Sequence, residues 1–305
     1  MCFFRGKFDE AEQYLKQSVG KAYNCDQYIT HNRALAYLMR IAFFRGDFAS
    51  AAATLQEMEA LLSEKDYGVR YTMYDIACGF YQLTLGQHEQ IPEWLKGCFS
   101  PYAHPSFLEN YANRIKAQYH YQTRQYSQLL AFIENEMEQT ILYGKIELKL
   151  LQALSLYHLK RHGEAITALA DAYTLAEPDR LIVLFTQYSK DMHTLSAAAL
   201  KDTTCPIPRI WLEDINRKSA AYAKRQAHVI IEYNKASLMA DKDVFSPRET
   251  EILVHISKGL SHAEIAARCR LPVNTVKMVI TNIYDKLGAE NLADLIRIAV
   301  ERKMI

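Results

Sequence analysis

Phe3-Phe4-Arg5-Gly6-Lys7-Phe8 returns 40 residues later as Phe43-Phe44-Arg45-Gly46-Asp47-Phe48, and this period constrains the fold more than any other feature of the chain. The match continues beyond the hexapeptide, with Ala11 against Ala51 and Leu15 against Leu55. A further 40 residues on, Leu85-Gly86-Gln87-His88 fills the same slot, with Ile91 and Leu95 at the two apolar positions. Two weaker copies follow. Tyr126, Leu129 and Ile133 take the aromatic and apolar places in one, and His162, Ala165 and Leu169 in the other.

The unit has a physical reading. An apolar helix ends at a turn, where glycine tolerates the left-handed conformation that a helix C-terminus favours. An aromatic residue packs back, and a second helix opens with a small residue that lets two helices approach closely. Each pair leaves one apolar face that only the next pair can cover, so the pairs stack. The pattern resembles tetratricopeptide repeats, although its spacing of about 36–40 exceeds the usual value of about 34. The first copy has only Met1 and Cys2 ahead of Phe3, so the chain begins inside a repeat, and we expect a preceding portion in the natural protein. A concave face could take a peptide or a small ligand. Tyr71, Tyr74, Tyr81, Tyr119 and Tyr121 stand at spacings that suit packing between repeats at least as well.

After about Asp179 the repeat fades. Leu181 to Leu200 reads as one more helix, broken by Cys205-Pro206-Ile207-Pro208. Trp211 to Lys235 reads as a helix with Trp211, Leu212, Ile215, Ala223, Ala227 and Ile230 apolar, and 236–243 as a linker without clear period. The expected division is a tetratricopeptide-like array over 1–205, a connecting helix and linker over 206–242, and a separate domain over 243–305. Half of the 305 residues are hydrophobic, enough for a substantial core, and the net charge of +1 neither demands nor excludes a nucleic-acid partner. The six cysteines form no CxxC pair and no zinc-spaced cluster with histidine, so they read as thiols in a reducing compartment. No apolar run approaches the roughly 20 residues needed to cross a bilayer, and no signal peptide is visible. A cytoplasmic, soluble protein without a membrane partner is expected.

The last segment carries a different pattern. Ser246-Pro247-Arg248-Glu249 is a strong helix start, with a capping serine, proline at the first helical position and Glu249 to complete a capping box. Ile252, Leu253 and Ile256 give one buried face that ends at Gly259. Ser261 caps a short second helix holding Ile265 and Ala266, and Arg270-Leu271-Pro272 forms the turn. A third helix runs from about Val273 to Leu287, with Val276, Ile280, Ile283 and Leu287 inward and Asn274, Thr275, Lys277, Met278, Thr281, Asn282 and Asp285 on the other side. A fourth, about Asn291 to Arg302, buries Leu295, Ile296, Ala299 and Val300. A short helix, a tight turn and a longer helix with a polar face form the arrangement that lays a recognition helix in the DNA major groove.

This segment resembles the LuxR-type (NarL/FixJ-like) helix-turn-helix domain. The matching residues are Ser246-Pro247-Arg248-Glu249 with Glu251, Gly259, Ser261, Glu264-Ile265-Ala266, Thr275-Val276-Lys277, Ile283, Lys286-Leu287-Gly288 and Asn291. The resemblance implies base contacts from Lys277, Met278 and Thr281: Lys277 to guanine O6 and N7, Met278 to a thymine methyl. It implies backbone contacts from Ser261, His262, Asn274, Thr275 and Lys286, helped by the positive end of the third helix. The fourth helix often mediates dimerisation in the family, which makes Leu292, Leu295, Ala299 and Val300 dimer-interface candidates. Helical repeats ahead of such a domain resemble the MalT-like, large ATP-binding LuxR regulators, but this chain contains no GxxxxGK(S/T) loop for ATP.

Three departures each remove a donor or a positive charge relative to the family: His262-Ala263 before Glu264, Val279 after Met278, and Leu292 after Asn291. From Asp243 to Ile305 there are nine Lys or Arg against eight Asp or Glu. Each lost phosphate contact lowers affinity and its salt slope, so DNA binding is expected to depend on assembly. No catalytic, metal or cofactor site is expected, because no HExxH, GxSxG or comparable set occurs. The expected fold is all-α, an α-solenoid followed by a four-helix DNA-binding domain. The expected function is transcription regulation on double-stranded DNA, as a homodimer, with an inducer acting on the repeats. The alternative is a repeat scaffold for other proteins with a degenerate helix-turn-helix.

Overall fold

A computed structural model describes residues 1–64, 66–99, 107–135, 141–243, 247–269, 271, 273–289 and 291–301. Among them there are fifteen α-helices and no strand, as the pattern requires. The chain divides into two compact units, Met1–Ile231 and Glu232–Ile305.

The first unit is built on one recurring turn. Helices α1 (Phe8–Asn24), α2 (Tyr28–Arg45), α3 (Phe48–Ala60), α4 (Arg70–Leu85), α5 (Phe107–Gln122), α6 (Tyr126–Asn135), α7 (Leu142–His158) and α8 (His162–Ala176) follow one another as antiparallel neighbours. Gly6, Gly46, Gly86, Arg124 and Lys160 all have positive φ, between 63° and 81°. Gly6 ends a turn over residues 2–6, the other four stand where a helix gives way to the next segment, and each is closed by the same two bonds. At the second copy the Gly46 N–H donates to Phe43 C=O (3.1 Å) and the Asp47 N–H to Ala42 C=O (2.9 Å). At the fifth copy Lys160 donates to Tyr157 (3.0 Å) and Arg161 to Leu156 (2.9 Å). This is the Schellman arrangement, which satisfies two helix-end carbonyls. Five positions after each turn residue stand Ala11, Ala51, Ile91, Leu129 and Ala165, all at most 5% exposed. The weak copies therefore keep the register of the strong ones and differ by placing a cation where glycine stood.

The third copy departs from the expected helix pair. Ile91 and Leu95 are buried, at 2% and 0% exposure, but two short 3-10 turns, His88–Gln90 and Glu93–Leu95, carry them. Pro92 accounts for this. It has no N–H for a helix, and it holds the preceding Ile91 in extended backbone (ψ 134°). Gly79 on α4 leaves the room these side chains use, since a Cβ there would stand 2.8 Å from Leu95 Cδ1.

Beyond the repeats the structure differs from expectation in three ways. The helix expected over Leu181–Leu200 is two pieces, α9 (Val183–Thr186) and α10 (Ser189–Ala199), parted where Ser189 takes φ +57°. The Val183 N–H reaches back to Phe4 C=O (3.0 Å), and Arg5 pairs with Asp179 (3.1 Å), so this segment belongs with the first repeat. The segment 236–243, expected as an irregular linker, is helical: α11 runs over Arg209–Asp243. The boundary between the two units falls within that helix, inside the connecting segment expected over 206–242, and the first part of α11 is core. Its buried stripe is Leu212, Ile215, Ser219, Tyr222 and Val229, not the expected Ala223 and Ala227. Tyr222 stacks on Phe44 at 4.2 Å, Gly46 lies against Arg225, and Gln226 donates to Thr84 C=O. Of the tyrosines expected to pack, Tyr81 and Tyr121 are buried, while Tyr71 is 59% exposed. No described helix is long and apolar enough to cross a membrane.

The second unit holds the end of α11 and α12 (Pro247–Ser257), α13 (His262–Cys269), α14 (Val273–Leu287) and α15 (Leu292–Glu301). Its core is Ile252, Leu253, Ile256, Ile265, Ala266, Val276, Ile280, Ile283, Leu287, Leu295 and Ala299, as read from the sequence, together with Val279, while Ile296 packs against it only partly buried. Ser246, Arg270 and Pro272, named above for a cap and a turn, lie outside the described residues.

Candidate nucleic-acid interface

The frame of the interface is α12 and α13 packed on α14. Gly259 closes α12 by the same turn as the repeats, with its N–H on Ile256 C=O (2.9 Å) and that of Leu260 on His255 C=O (3.2 Å). At the start of α13, Ser261 and Glu264 form a reciprocal capping box. The Ser261 N–H and hydroxyl donate to Glu264 Oε2 at 2.8 and 2.7 Å, and the Glu264 N–H faces Ser261 Oγ at 3.4 Å. The serine hydroxyl, then its N–H, hold the Glu264 carboxyl below its usual range. The Ser261 side chain is thus engaged within the protein, while His262 beside it is exposed.

On α14 the residues divide by angle. At roughly 100° per residue, Asn274, Lys277, Met278 and Thr281 fall within one arc of about 100°, and Val276, Val279, Ile280, Ile283 and Leu287 within another on the far side. Asn274, Lys277, Met278 and Thr281 are exposed, Met278 at 61%. Thr275 is half-buried, and the Thr281 hydroxyl donates to Lys277 C=O (3.1 Å). Lys277 makes no ion pair among the described residues, so a compact cation and a methionine stand side by side on an outward face. The first N–H groups of a helix lack partners within it, and they lie at the same end as Asn274 and Thr275.

Several expected roles change on this geometry. Val279 is only 9% exposed and packs in the core. A polar group there would cost burial before it could reach a groove, so valine at this place is no lost donor. Lys286 is held by Glu249 of α12, Nζ to Oε2 at 2.9 Å, with both side chains largely buried. A phosphate would have to share it. Leu295 and Ala299 are fully buried in the unit's own core and have no surface left for a dimer partner. Leu292 and Val300 are exposed, at 48% and 56%, so Val300 does not pack inward as expected. Asn291 accepts from the Asp294 N–H (3.0 Å) and caps α15. Arg297 spends its charge on Asp294 and Glu301.

One grouping had no signal in residue spacing. Glu251 and His255, a turn apart on α12, meet Cys269 at the end of α13, with one donor atom from each within 4.8 Å of the others. Carboxylate, imidazole and thiolate are donors that a zinc-like cation accepts, and the separation of 14 residues between His255 and Cys269 hides the set from a motif search.

Comparisons with known proteins agree with both units. Residues 4–202 match the family described as the MalT-like TPR region, and residues 243–299 match the bacterial regulatory proteins of the luxR family. The chain is similar to the transcriptional activator protein EsaR of Pantoea stewartii subsp. stewartii, 47% identical over 66 residues, which is 22% of this chain and 26% of that protein. It is similar along nearly its whole length to the HTH-type transcriptional regulator MalT of Klebsiella pneumoniae (strain 342), 25% identical over 309 residues, 95% of this chain and 34% of that protein. The chain therefore spans about a quarter to a third of the length of these relatives. No solved structure matches it.

Proposed function

The chain belongs to the family of the MalT-like TPR region, and on that premise we propose that it is a DNA-binding transcription regulator, without enzymatic activity, working in the cytoplasm. The observation that carries the reading is the outward face of α14. Lys277, Met278 and Thr281 are exposed together over a core that uses the opposite side of the same helix, within a segment that matches the luxR family. In this reading α14 lies in the major groove. Lys277 donates to guanine, Met278 touches a thymine methyl and Thr281 reads an adjacent edge. His262, Asn274, Thr275 and the first N–H groups of α14 hold phosphates, joined by Ser261 when it leaves Glu264 and by Lys286 when it leaves Glu249.

Few cations are available for this. Lys286 and Arg297 are already paired, and the segment from Asp243 onward has nine basic residues against eight acidic ones. A single copy therefore binds weakly, and useful affinity comes from a homodimer on double-stranded DNA, through the exposed Leu292 and Val300 of α15. The repeat unit receives the signal, a small molecule or a peptide.

The test is fluorescence anisotropy on duplexes selected from a random-sequence library, at low and moderate salt. Lys277→Ala should weaken the selected duplex by roughly 5- to 150-fold, the worth of one good base contact, and much less on unselected DNA. Equal binding by variant and wild type, or failure to enrich any duplex, would favour the scaffold alternative instead. That alternative already lacks one of its supports, since Val279 is a core residue.

A further inference from the structure

The interior of the repeat unit holds more positive charge than it neutralises. Arg114 of α5 is 6% exposed and pairs with Glu147 of α7, itself 1% exposed. Gln118 donates to the other oxygen of the same carboxylate at 2.7 Å. Each Glu147 oxygen thus carries a donor, and Arg40 of α2, half-buried, stands close by. Its guanidinium lies 4.2 Å from the centre of the Phe80 ring and forms no hydrogen bond or ion pair among the described residues. Two guanidiniums thus share one carboxylate, and burial, followed by the charge of Arg114, pushes Arg40 down from its usual range. A half-buried cation at the mouth of a cleft, without a counter-charge of its own, is open to an anionic partner.

The polar groups around it are also unsatisfied. Arg114 Nη2 is buried without a partner, as are both polar atoms of the Asn32 side chain, which is 1% exposed. Across the space, Tyr188 Oη is buried beside the Gln187 side chain. Buried groups of this kind are few in native proteins, and each calls for an explanation. Asn32 and Arg114 flank a narrow slot, and Gln187 and Tyr188 flank a wider cleft. A cleft of about 430 Å³ runs between the repeats, α10 and α11, and a narrower slot lined by Asn32 and Arg114 joins it at Arg40, Phe80 and Gln118. The cleft volume falls in the range of small-molecule sites, roughly 300–1,000 Å³. Its one described carboxylate, Asp191, already accepts from Tyr121 Oη (2.6 Å) on the far wall.

We propose that this cleft binds a small organic anion, a carboxylate or phosphate on an apolar or aromatic body, with its charged group on Arg40 and its body against Phe80 and the cleft tyrosines. The planar fork of arginine suits either anion. The proposal rests on the reading of the repeat unit as the signal-receiving part, and it names the class of signal.

Isothermal titration of the full chain with phenylacetate, phenyl phosphate and the uncharged phenylacetamide tests it. At least one anion should bind one to one, and more tightly than the amide by roughly tenfold or more. Arg40→Met should weaken that anion by roughly 10- to 100-fold, the worth of a charge-assisted pair, while leaving the amide unchanged. Arg40→Lys should fall between. Equal binding of amide and anion, unchanged anion binding by Arg40→Met, or no binding by either anion overturns the proposal. So does a marked fall in the melting temperature of ligand-free Arg40→Met, because a residue waiting for a counter-charge should cost the empty protein nothing on removal. An anion that binds as described without altering affinity for a selected duplex leaves the site standing and refutes its role as a signal. A chain that enriches no duplex refutes the regulator reading independently of the cleft.

Discussion

Replacing Lys160 by glycine should stabilise the first unit, and replacing Gly86 by alanine should destabilise it, by related amounts. Both residues occupy the same place in the repeat, at φ 64° and 74°. A residue with a Cβ pays about 1–2 kcal/mol to sit there. Glycine avoids that cost but adds freedom to the unfolded chain, worth about 0.4–1 kcal/mol. The difference leaves roughly 0.5–1 kcal/mol in favour of Lys160→Gly, and a similar loss for Gly86→Ala, where an added Cβ would meet nothing within 4 Å. Gly46→Ala should cost more, since its Cβ would also press on Arg225 Cβ at 3.3 Å. Arg124→Gly should gain about as much as Lys160→Gly, and the two gains should add within about 0.5 kcal/mol, the usual tolerance for distant sites.

The assay is urea unfolding followed by tryptophan fluorescence. Trp94 and Trp211 both lie in the first unit, so the signal reports that unit alone. The double glycine variant should raise the melting temperature by about 2–8 °C, at about 2–4 °C per kcal/mol for a unit of this size. Destabilisation by Lys160→Gly would refute the reasoning. It would mean that the lysine side chain, exposed in the structure, outweighs its backbone conformation.

Three further outcomes follow from the geometry. Glu249→Gln should remove one tie on Lys286 and steepen the salt dependence of duplex binding by up to about 0.9 in log–log slope, the value of one phosphate; an unchanged slope in salt titrations would mean that this pair does not keep Lys286 from the backbone. Gly79→Ala should cost about 1–3 kcal/mol by overpacking, because its Cβ would stand 2.8 Å from Leu95 Cδ1, and the same fluorescence melt reads it. Glu264 is held below the ordinary carboxylate range by Ser261, so its contribution is present above the unfolded value and lost as pH falls through the folded one. Acid titration of the second unit by nuclear magnetic resonance should show α13 loosening below about pH 4, and Glu264→Gln should flatten that dependence.

Much of the candidate interface could be read without coordinates because its signals are local. The cap at Ser261, the turn at Gly259 and the span of α14 each depend on residues within a few positions of one another. The division of α14 into two faces was legible as well, except at Val279. A stripe drawn through Val276, Ile280, Ile283 and Leu287 leaves that residue at its margin, where only the neighbouring helices decide whether it is covered. The same limit applied to α15. Periodicity marked Leu295, Ala299 and Val300 as apolar, but which of them the unit's core had room for depended on the packing of α12 and α14.

The period of the repeats, the places where their helices stop and the existence of a separate C-terminal module were determined by the sequence alone. Backbone conformation at a turn and the alternation of apolar residues along a helix are set by near neighbours, so they are written in short stretches of chain. Tertiary structure decided whatever depends on residues far apart. It carried α11 across the repeats through Tyr222 and Phe44, tied Lys286 to Glu249 over 37 residues, and brought Glu251, His255 and Cys269 within reach of one another. It also left Arg40 facing a cleft while the neighbouring Glu147 carboxylate was already held by Arg114 and Gln118. Charge balance in an interior is a property of the assembled space, and no local pattern in the chain records it.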